Sequence, residues 1–347
     1  MVSVPIRNLR RCFSPVDRFK NSGLILAALA LMLPILSCTR VSQAASDCDY
    51  HKGGNCQVSV NGVVRTYALH VPPNFQPGSS GLVIAFHGAR GQGAEFATFT
   101  QLNWRADRNG YAVAYPDGLP NANGATSWNA YFNPTYGKKI PPDDSAFVRQ
   151  MILSLEANLR PDPKRIYVTG LSAGAHMAHR AAIDDSDLIA AAAIVEGSLW
   201  VQHAGGKLRP PQPKAPVSIL ILHADTDQIV HYCGVDNGHV TEASQDESFD
   251  YWSHADSCKS VKPDASLCTK FVGNPTSVME KSATDCSAGT EVRFYKLAGG
   301  LHWWYAGVPL NIPPGNSKQP YSPALNSSTG TTTNEVIWNF FLSHPKP

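Results

Sequence analysis

Charge is scarce in this sequence. Only 16% of its 347 residues are Asp, Glu, Lys or Arg, and the formal net charge is +2. There is no basic tract, no long run of one charge and no RNA-binding pattern of aromatic residues, so nothing in the chain is suited to neutralise a phosphate backbone. These absences exclude nucleic acid as a partner and predict a neutral or weakly anionic substrate.

Metal-binding motifs are also missing. The cysteines form no C-x-x-C pair, and no H-E-x-x-H pattern accompanies His176 and His179, which share one face of a predicted helix. We therefore predict no metal site on these residues. Both histidines are interpreted as packing or surface residues of that helix.

The apolar stretch near the N-terminus, residues 24–36, is too short to span a bilayer comfortably. Basic residues precede it, which is typical of a secretion signal, here within residues 1–44. Two processing sites stay open: Ser42-Gln43-Ala44 suits ordinary signal peptidase, whereas Ile35-Leu36-Ser37-Cys38 resembles a lipobox that would place a lipid on Cys38. Both predict export, to the extracellular space, the periplasm or a lipid-anchored surface position, with a membrane contact only through that lipid.

The cysteine count agrees with export. Of eight cysteines, Cys12 and Cys38 fall in the leader, and an even number remains for an oxidising compartment. We predict three disulfides. The favoured pairs are Cys48 with Cys56, as a local clip before the first strands, and Cys258 with Cys286.

Strand and helix patterns alternate along the rest of the chain. Asn61-Gly62 lies between two strand patterns, which predicts an antiparallel hairpin over residues 58–71. The later strands are predicted at 82–86, 111–115, 166–169, 191–195, 217–222 and 291–297, and the helices near 95–108, 145–159, after 172, 246–255 and 334–342. This alternation predicts the α/β class, with a mostly parallel, doubly wound sheet in a single domain over residues 45–347.

Residues 170–174 read Gly-Leu-Ser-Ala-Gly and lie between a predicted strand and an alanine-rich helix. A G-x-S-x-G segment at that junction is typical of a nucleophile elbow, which holds a serine hydroxyl exposed on a tight turn next to backbone N–H donors. The sequence therefore predicts Ser172 as a catalytic nucleophile.

An acid and a base follow Ser172 in the chain order that α/β-hydrolases use. The buried strand pattern 217–222 leads to Asp225 and Asp227, and we favour Asp227 because its spacing from His223 and Val230 matches an H-G-x-x-D-x-x-V pattern. His302 lies in a glycine-containing loop after another strand. Its imidazole would take the proton from Ser172 while the aspartate holds its tautomer.

An oxyanion hole needs two backbone donors. The residue after the nucleophile, Ala173, supplies one in this fold, and the loop after an early strand supplies the other. In the loop His87-Gly88-Ala89-Arg90-Gly91 we assign that donor to Ala89, with Arg90 as the alternative, and we interpret His87 as a histidine that braces the loop.

Several further segments accompany these motifs: Arg65-Thr66-Tyr67, Phe86-His87-Gly88, the segments 106–111 and 113–118, Ser127-Trp128-Asn129, Asp143-Asp144 and Gly299-Gly300-Leu301-His302. From about Arg65 to His302 the chain resembles the secreted esterases grouped with polyhydroxybutyrate depolymerases, feruloyl esterases and acetylxylan esterases of carbohydrate esterase family 1. The resemblance implies an α/β-hydrolase fold and a Ser-His-Asp esterase without metal or cofactor, carried here by Ser172, His302 and Asp227.

The sequence departs from that family where His302 is followed by Trp303, Trp304 and Tyr305. We expect Trp303, Trp304 and Trp128 to contact substrate, because an aromatic wall would stack on a planar acyl group. The expected substrates are plant cell-wall esters, feruloyl esters first and acetylxylan next, acted on by a monomer. Two alternatives remain: a polyester (polyhydroxyalkanoate) depolymerase and a non-catalytic carbohydrate-binding surface protein.

Overall fold

The computed structural model describes residues 48–131, 141–201, 203–204, 207–208, 211–236, 241–267, 277–306 and 331–347. They all fall in one compact unit, residues 46–347. The predicted secretion signal and Cys38 lie outside the described residues. No helix among those described is long and apolar enough to cross a bilayer.

The N-terminal hairpin forms as predicted. Its strands pair in antiparallel register, with Val60 opposite Val63. The turn between them has positive φ at both central residues, 51° at Asn61 and 80° at Gly62. That conformation suits the right-handed twist of a hairpin, and Asn-Gly tolerates it better than other pairs.

The described strands fall into one large sheet and several short pairs. In chain order they are β1 (Gly53–Val60), β2 (Val63–His70), β3 (Leu82–Phe86), β4 (Ala112–Pro116), β5 (Leu119–Pro120), β6 (Thr126–Ser127), β7 (Ile166–Leu171), β8 (Ala191–Val195), β9 (Trp200–Val201), β10 (His203–Ala204), β11 (Lys207–Leu208), β12 (Ser218–Ala224), β13 (Val235–Asp236), β14 (Thr241–Glu242), β15 (Ser260–Leu267), β16 (Ser277–Thr284) and β17 (Val292–Ala298).

The large sheet has the order β1-β2-β4-β3-β7-β8-β12-β17-β16-β15. Its central strands, from β4 to β17, run parallel, and an antiparallel pair flanks them on each side. Strands β3, β4, β8 and β12 are buried along their whole length, as expected for strands covered on both faces. The predicted α/β-hydrolase fold, a mostly parallel doubly wound sheet, is confirmed.

Helices cover both faces of this sheet. They are α1 (Gly93–Thr100), α2 (Leu102–Asn109), α3 (Asp144–Asn158), α4 (Ala173–Asp184), α5 (Gln245–Ala255) and α6 (Thr333–Ser343). Along β3 the side chains alternate between two apolar clusters: Ile84 packs in the cluster that holds α3, α4 and α5, and Val83 in the one that holds α1, α2 and α6. Two hydrophobic layers thus fix the sheet and the loops at its edge.

The region predicted as a single helix over 95–108 is two helices. Gln101 separates them in a left-handed conformation, with φ of 55°. The carbonyl of Thr100 accepts a hydrogen bond of 2.7 Å from the side chain of Asn334 in α6, so a distant contact takes the acceptor that a continuous helix would use. The periodicity of apolar residues in the sequence cannot reveal a contact between segments so far apart in the chain.

Both favoured disulfides are present, Cys48–Cys56 and Cys258–Cys286. The second joins the residues that follow α5 to those that precede β17, and so closes the excursion that contains β15 and β16. Cys233 is exposed and forms no disulfide within the described part of the chain. Cys268 lies outside it, so the third predicted disulfide stays a prediction.

A buried ion pair fastens the hairpin to α3. The Arg65 guanidinium lies 2.7 Å from the Asp144 carboxylate, with side-chain exposures of 3% and 0%. The Arg65 cation also stacks over Phe147, 4.1 Å from the ring centroid. Asp143 caps α3 by accepting from the Ala146 N–H, whereas the Asp144 side chain is buried.

Replacement of Arg65 by Met should destabilise the protein strongly. It would leave Asp144 buried without its cation, and breaking a buried pair by removing one partner costs about 3–5 kcal/mol. The free energy of unfolding, from denaturant titration, measures the loss. The matched control is Arg165→Met, because that guanidinium is 45% exposed and lies 3.4 Å from Asp162. Equal losses in both variants would show that burial of the Arg65 pair is irrelevant.

Candidate active site

The serine of the G-x-S-x-G segment lies on a strained turn between β7 and α4. Ser172 has φ of 57° and ψ of −122°, a conformation that residues with a side chain rarely adopt. A Cβ on Gly174 would lie 2.1 Å from the Phe86 carbonyl oxygen, and one on Gly170 would lie 2.3 Å from the Gly174 carbonyl oxygen. Only glycine fits at either position, so the two glycines let the turn close against β3.

The start of α4 leaves a backbone donor free beside the hydroxyl. The N–H of Ser172 is used, since it donates to the Val195 carbonyl at 3.0 Å. Ala173 is the first residue of α4, and the first N–H groups of a helix have no acceptor within it. The Ala173 N–H is therefore available to a negatively charged oxygen, and the positive end of the helix faces the same place.

The loop after β3 lies against this turn. A Cβ on Gly88 would be 3.6 Å from the Cβ of Ser172, so the loop backbone runs directly past the nucleophile. Arg90, the alternative donor, has its N–H bound to the Thr126 carbonyl at 2.8 Å. The N–H of Ala89 has no acceptor among the described residues, which leaves it as the candidate second donor.

His87 holds that loop in place. Its Nε2 accepts from the N–H of Gly118 at 2.9 Å, and its Nδ1 lies 2.7 Å from the Gly88 carbonyl. Since Nε2 accepts and the carbonyl needs a donor, the proton is on Nδ1. Burial lowers the pKa of His87, so the neutral ring persists. Its position is that of the bracing residue predicted from the sequence.

Of the two competing aspartates, Asp227 contacts the predicted base. Nδ1 of His302 donates to Oδ2 of Asp227 at 2.6 Å. The other carboxylate oxygen accepts from the N–H groups of Ile229 at 2.7 Å and Val230 at 3.1 Å. Burial alone would raise the pKa of Asp227, but the hydrogen bond and charge of His302 and the Ile229 N–H outweigh it and lower that pKa.

Asp225 stabilises the loop that carries His302. Its Oδ1 accepts from the Gly299 N–H at 2.8 Å, and Gly299 turns the chain with φ of 71°. Thr226 adds a hydrogen bond from its hydroxyl to the Gly300 carbonyl. Both contacts hold the loop to the end of β12.

The link between base and nucleophile is not formed in this structure. Among the described residues no hydrogen bond joins the Ser172 hydroxyl to His302. Since Nδ1 of His302 is bound to Asp227, Nε2 is the nitrogen left for the serine. Hydrogen bonds of this kind are often long before substrate binds, and they tighten in the reacting complex.

Two of the three tryptophans predicted to contact substrate are buried. Trp128 is 1% exposed and donates from its indole N–H to the His87 carbonyl at 2.8 Å, which places it beneath the loop after β3. Trp304 is 0% exposed and donates to Asn334 at 2.8 Å. A fully buried ring has no face to offer an acyl group, so the prediction is wrong for these two in this conformation.

Trp303 alone keeps part of its surface accessible. It follows His302 and packs edge-to-face on Phe99, with 5.3 Å between the ring centroids. The aromatic wall is therefore narrower than the sequence suggested. A second half-buried indole, Trp200, was missed by the sequence reasoning; its N–H donates to His176, in the first turns of α4, at 3.3 Å.

His176 and His179 are packing residues, as predicted. Each accepts a hydrogen bond from an indole, His176 from Trp200 and His179 from Trp252 at 3.0 Å. Burial lowers the pKa of His179 to about 3, so it stays neutral.

Glu196 and His223 were also missed, and both lie behind the acid. Glu196 follows β8 and His223 lies within β12, and the side chains of both are fully buried. A signal was available for Glu196, because it comes directly after a buried strand, as the acid loop does. Its surroundings are unusual for a carboxyl group.

Among the described residues, one group has the spacing of metal ligands: Glu196, Asp227 and His302 offer ligand atoms within 4.8 Å of one another. The donor atom of His302 is Nδ1, 2.6 Å from Asp227. That separation is the length of a charge-assisted N–H···O bond. Asp227 and His302 are therefore joined directly by a hydrogen bond in this structure.

The fold and this edge of the sheet define an α/β-hydrolase with the parts of a serine hydrolase: a strained serine elbow, a bonded aspartate–histidine pair and free backbone N–H donors. Comparison with known proteins narrows the class. Residues 65–205 match the family described as Esterase PHB depolymerase. The chain is a serine esterase, and the resemblance to PHB depolymerases, acetylxylan esterases and feruloyl esterases identified from its motifs is confirmed.

Several known proteins are similar to this chain. The chain is 27% identical to the putative esterase NocK of Nocardia uniformis subsp. tsuyamanensis, over 79% of this chain and 77% of that one. It is 28% identical to feruloyl esterase B of Piromyces equi, over 64% of this chain and 39% of the relative. An acetyl xylan esterase from Aspergillus awamori is a structural neighbour with 16% identity and a TM-score of 0.48, covering 72% of this chain and 94% of that one.

Proposed function

We propose that the protein is an exported carboxylic-ester hydrolase that uses Ser172, His302 and Asp227 as its catalytic triad. The observation that carries the proposal is the 2.6 Å hydrogen bond between Asp227 and His302, at the sheet edge that also bears the strained serine. Export is supported by the secretion-signal pattern and by the two disulfides, which form in oxidising compartments.

In the proposed mechanism, the Ser172 hydroxyl attacks the ester carbonyl while Nε2 of His302 takes its proton. The negative oxygen that forms is held by the N–H groups of Ala173 and Ala89. Asp227 keeps the His302 proton on Nδ1 and stabilises the imidazolium. His302 then protonates the leaving alkoxide and activates the water that releases the acyl group.

The proposed substrates are plant cell-wall esters, with feruloyl esters ahead of acetylxylan. Two half-buried indoles favour a substrate with an aromatic acyl group. They are Trp303, which follows the base His302, and Trp200, whose N–H donates to His176 in α4. An edge-to-face or offset-stacked pair of rings contributes about 0.5–1.5 kcal/mol of interaction free energy, in addition to the free energy gained from the area that the rings bury. The Piromyces relative bears the name of a feruloyl esterase, but this chain spans less than half of its length.

A polyester depolymerase is the second candidate, favoured by the description of the matching family. Its substrate is aliphatic, so it gains nothing from an aromatic wall. Two assays distinguish the candidates. A feruloyl esterase releases ferulate from methyl ferulate, whereas a depolymerase clears a polyhydroxybutyrate suspension.

The test uses purified mature protein with p-nitrophenyl acetate, methyl ferulate, acetylated xylan and polyhydroxybutyrate. We expect turnover of p-nitrophenyl acetate and methyl ferulate. Turnover confined to short acyl esters would support an acetylxylan or general esterase, and clearing of the polymer alone would support the depolymerase. Binding of xylan with no turnover of any ester would overturn the proposal in favour of a non-catalytic binding protein.

Replacement of Trp303 by Ala should discriminate between acyl groups. Loss of one aromatic contact predicts an increase in KM for methyl ferulate of about threefold to tenfold, with p-nitrophenyl acetate almost unaffected. The control is Trp104→Ala on α2, whose ring is 45% exposed and lies under Arg108. An equal loss on both esters would mean that Trp303 only packs the loop of His302.

A further inference from the structure

Glu196 is a carboxyl group with no cation to balance it. It is 0% exposed, and the groups that act on it within the described residues include no lysine or arginine. Its Oε2 accepts from the Ala224 N–H at 2.9 Å, and Nδ1 of His223 lies 3.7 Å from the same oxygen. An ionised carboxylate in such a place, next to a second one, is among the costliest arrangements in a protein interior.

The second carboxylate is Asp227. A carboxylate oxygen of Glu196, one of Asp227 and a ring nitrogen of His302 all lie within 4.8 Å of one another. Two buried carboxyl groups this close repel each other when both are ionised, and the repulsion is relieved when one of them carries a proton and can donate it in a hydrogen bond to the other. Asp227 already accepts from His302 and from two backbone N–H groups, so it is stabilised as the anion. The shared proton therefore belongs to Glu196.

The backbone holds Glu196 in this position at a cost. Its φ is 48°, in the region that residues with a side chain avoid, and its N–H donates to the Leu222 carbonyl at 2.9 Å. The preceding residue, Val195, accepts the hydrogen bond from the N–H of Ser172. One strand end thus fixes both the nucleophile turn and the carboxyl group behind the acid. Strain of this kind is retained where the geometry matters for function.

We propose that Glu196 is a positioning residue of the esterase site: a neutral carboxylic acid that donates a hydrogen bond to Asp227 and so orients the carboxylate that holds His302. Glu196 touches no substrate. Its proton stays on Glu196 throughout the reaction, and its effect reaches the substrate through Asp227 and His302. The inference rests on the proposed triad.

The other titratable groups around the pair are consistent with a neutral Glu196. Burial lowers the pKa of His223 to about 4, so this ring supplies no positive charge. Burial also raises the pKa of Tyr305 and of Glu242. Neither group has a cationic form, so neither can balance a negative charge on Glu196. Burial, followed by the negative charge of Asp227, raises the pKa of Glu196 despite the Ala224 N–H.

Glu196→Gln tests the protonation state. A glutamine is neutral at every pH, can accept from the Ala224 N–H with its oxygen and can donate to Asp227 with its amide. We expect kcat within about threefold of wild type and an unchanged acidic limb of kcat/KM, which reports the titration of His302. If Glu196 were ionised, its neutralisation would move that limb to lower pH by about 1 unit or more, and the proposal would be wrong.

Glu196→Ala tests the hydrogen bond. Losing a donor to a charged group should lower kcat by about 10-fold to 100-fold at unchanged KM. The expected pattern is that Glu196→Gln retains kcat and Glu196→Ala loses it. A wild-type kcat in a folded Glu196→Ala protein would overturn the proposal. The matched control is Glu291→Gln, a carboxylate that binds Arg293 and His344 outside the site and should leave the pH profile unchanged.

A second measurement keeps this test separate from the esterase proposal. The proton on Nδ1 of His302 can be followed by NMR through its downfield resonance in wild type and in Glu196→Gln, without any substrate. We expect the same resonance and the same titration in both proteins. A shifted titration in Glu196→Gln would overturn the role of Glu196 even if Glu196→Ala does not fold. Absence of ester turnover in the wild type would count against the proposed function alone.

Discussion

Ser172→Ala should abolish ester hydrolysis, with a loss in kcat of about 10⁴-fold to 10⁶-fold and little change in KM. The substitution removes the attacking oxygen and leaves the elbow intact, since alanine is no larger than serine on the turn at φ of 57°. What remains is whatever rate the two N–H donors and the bound geometry supply by themselves. Steady-state turnover of p-nitrophenyl acetate measures the loss.

A matched serine shows whether that loss is specific. Ser198 also follows a strand at this edge of the sheet, but its hydroxyl is buried and accepts from the amide of Gln245 at 2.8 Å. Ser198→Ala should keep kcat within about threefold, because one neutral hydrogen bond contributes about 1 kcal/mol to stability and none to the reaction. Residual activity of Ser172→Ala above a hundredth of wild type would exclude Ser172 as nucleophile.

Covalent labelling gives an independent reading of the same residue. A serine-directed fluorophosphonate should attach one phosphonyl group to the tryptic peptide 166–180, with loss of fluoride. Ser172→Ala should prevent this labelling. This experiment does not depend on the choice of ester. Labelling on another peptide would show that the reactive serine lies elsewhere.

The centre of the fold could be predicted from the sequence because its signals are local. Strand β8 follows from an unbroken apolar run, and the elbow from glycines at fixed spacing. Asp227 and His302 meet because each follows the carboxyl end of a strand, β12 and β17, and these parallel strands end at the same edge of the sheet. The choice between Asp227 and Asp225 followed from spacing alone, and the structure gives Asp225 a separate partner, the Gly299 N–H.

What escaped prediction depends on contacts between distant segments. Strand β15 contains Pro263 and Asp264, which break the strand pattern, and it is held by pairing with β16. The sequence around Trp304 suggests an aromatic residue at the surface of a loop. In the structure Trp304 is buried, and its N–H donates to Asn334 in the last helix. Glu196 reads as an ordinary acid after a strand, and only its neighbours in space reveal that it carries a proton.

Asp227→Asn should lower kcat by about 10⁴-fold, the size of loss seen when an asparagine leaves the geometry in place but favours the wrong histidine tautomer. Asp227 accepts at both oxygens, from His302 on one and from the N–H groups of Ile229 and Val230 on the other. An asparagine can satisfy only one of these two sides as an acceptor. If its oxygen stays on the backbone side, its amide faces Nδ1 of His302 and forces the proton onto Nε2, where the imidazole cannot accept from Ser172.

The matched variant is Asp225→Asn, and the contrast between the two decides the assignment of the acid. Asp225 uses Oδ1 to accept from Gly299, which an asparagine oxygen can also do, and its other oxygen lies 4.0 Å from the half-buried Lys296 amine. We expect Asp225→Asn to retain kcat within about threefold, because a partly exposed ion pair at this distance contributes at most about 1 kcal/mol. The opposite pattern, in which Asp225→Asn is inactive and Asp227→Asn is normal, would transfer the role to Asp225. It would also remove the basis for Glu196 as a positioning residue, since the carboxylate within 4.8 Å of Glu196 and His302 is that of Asp227.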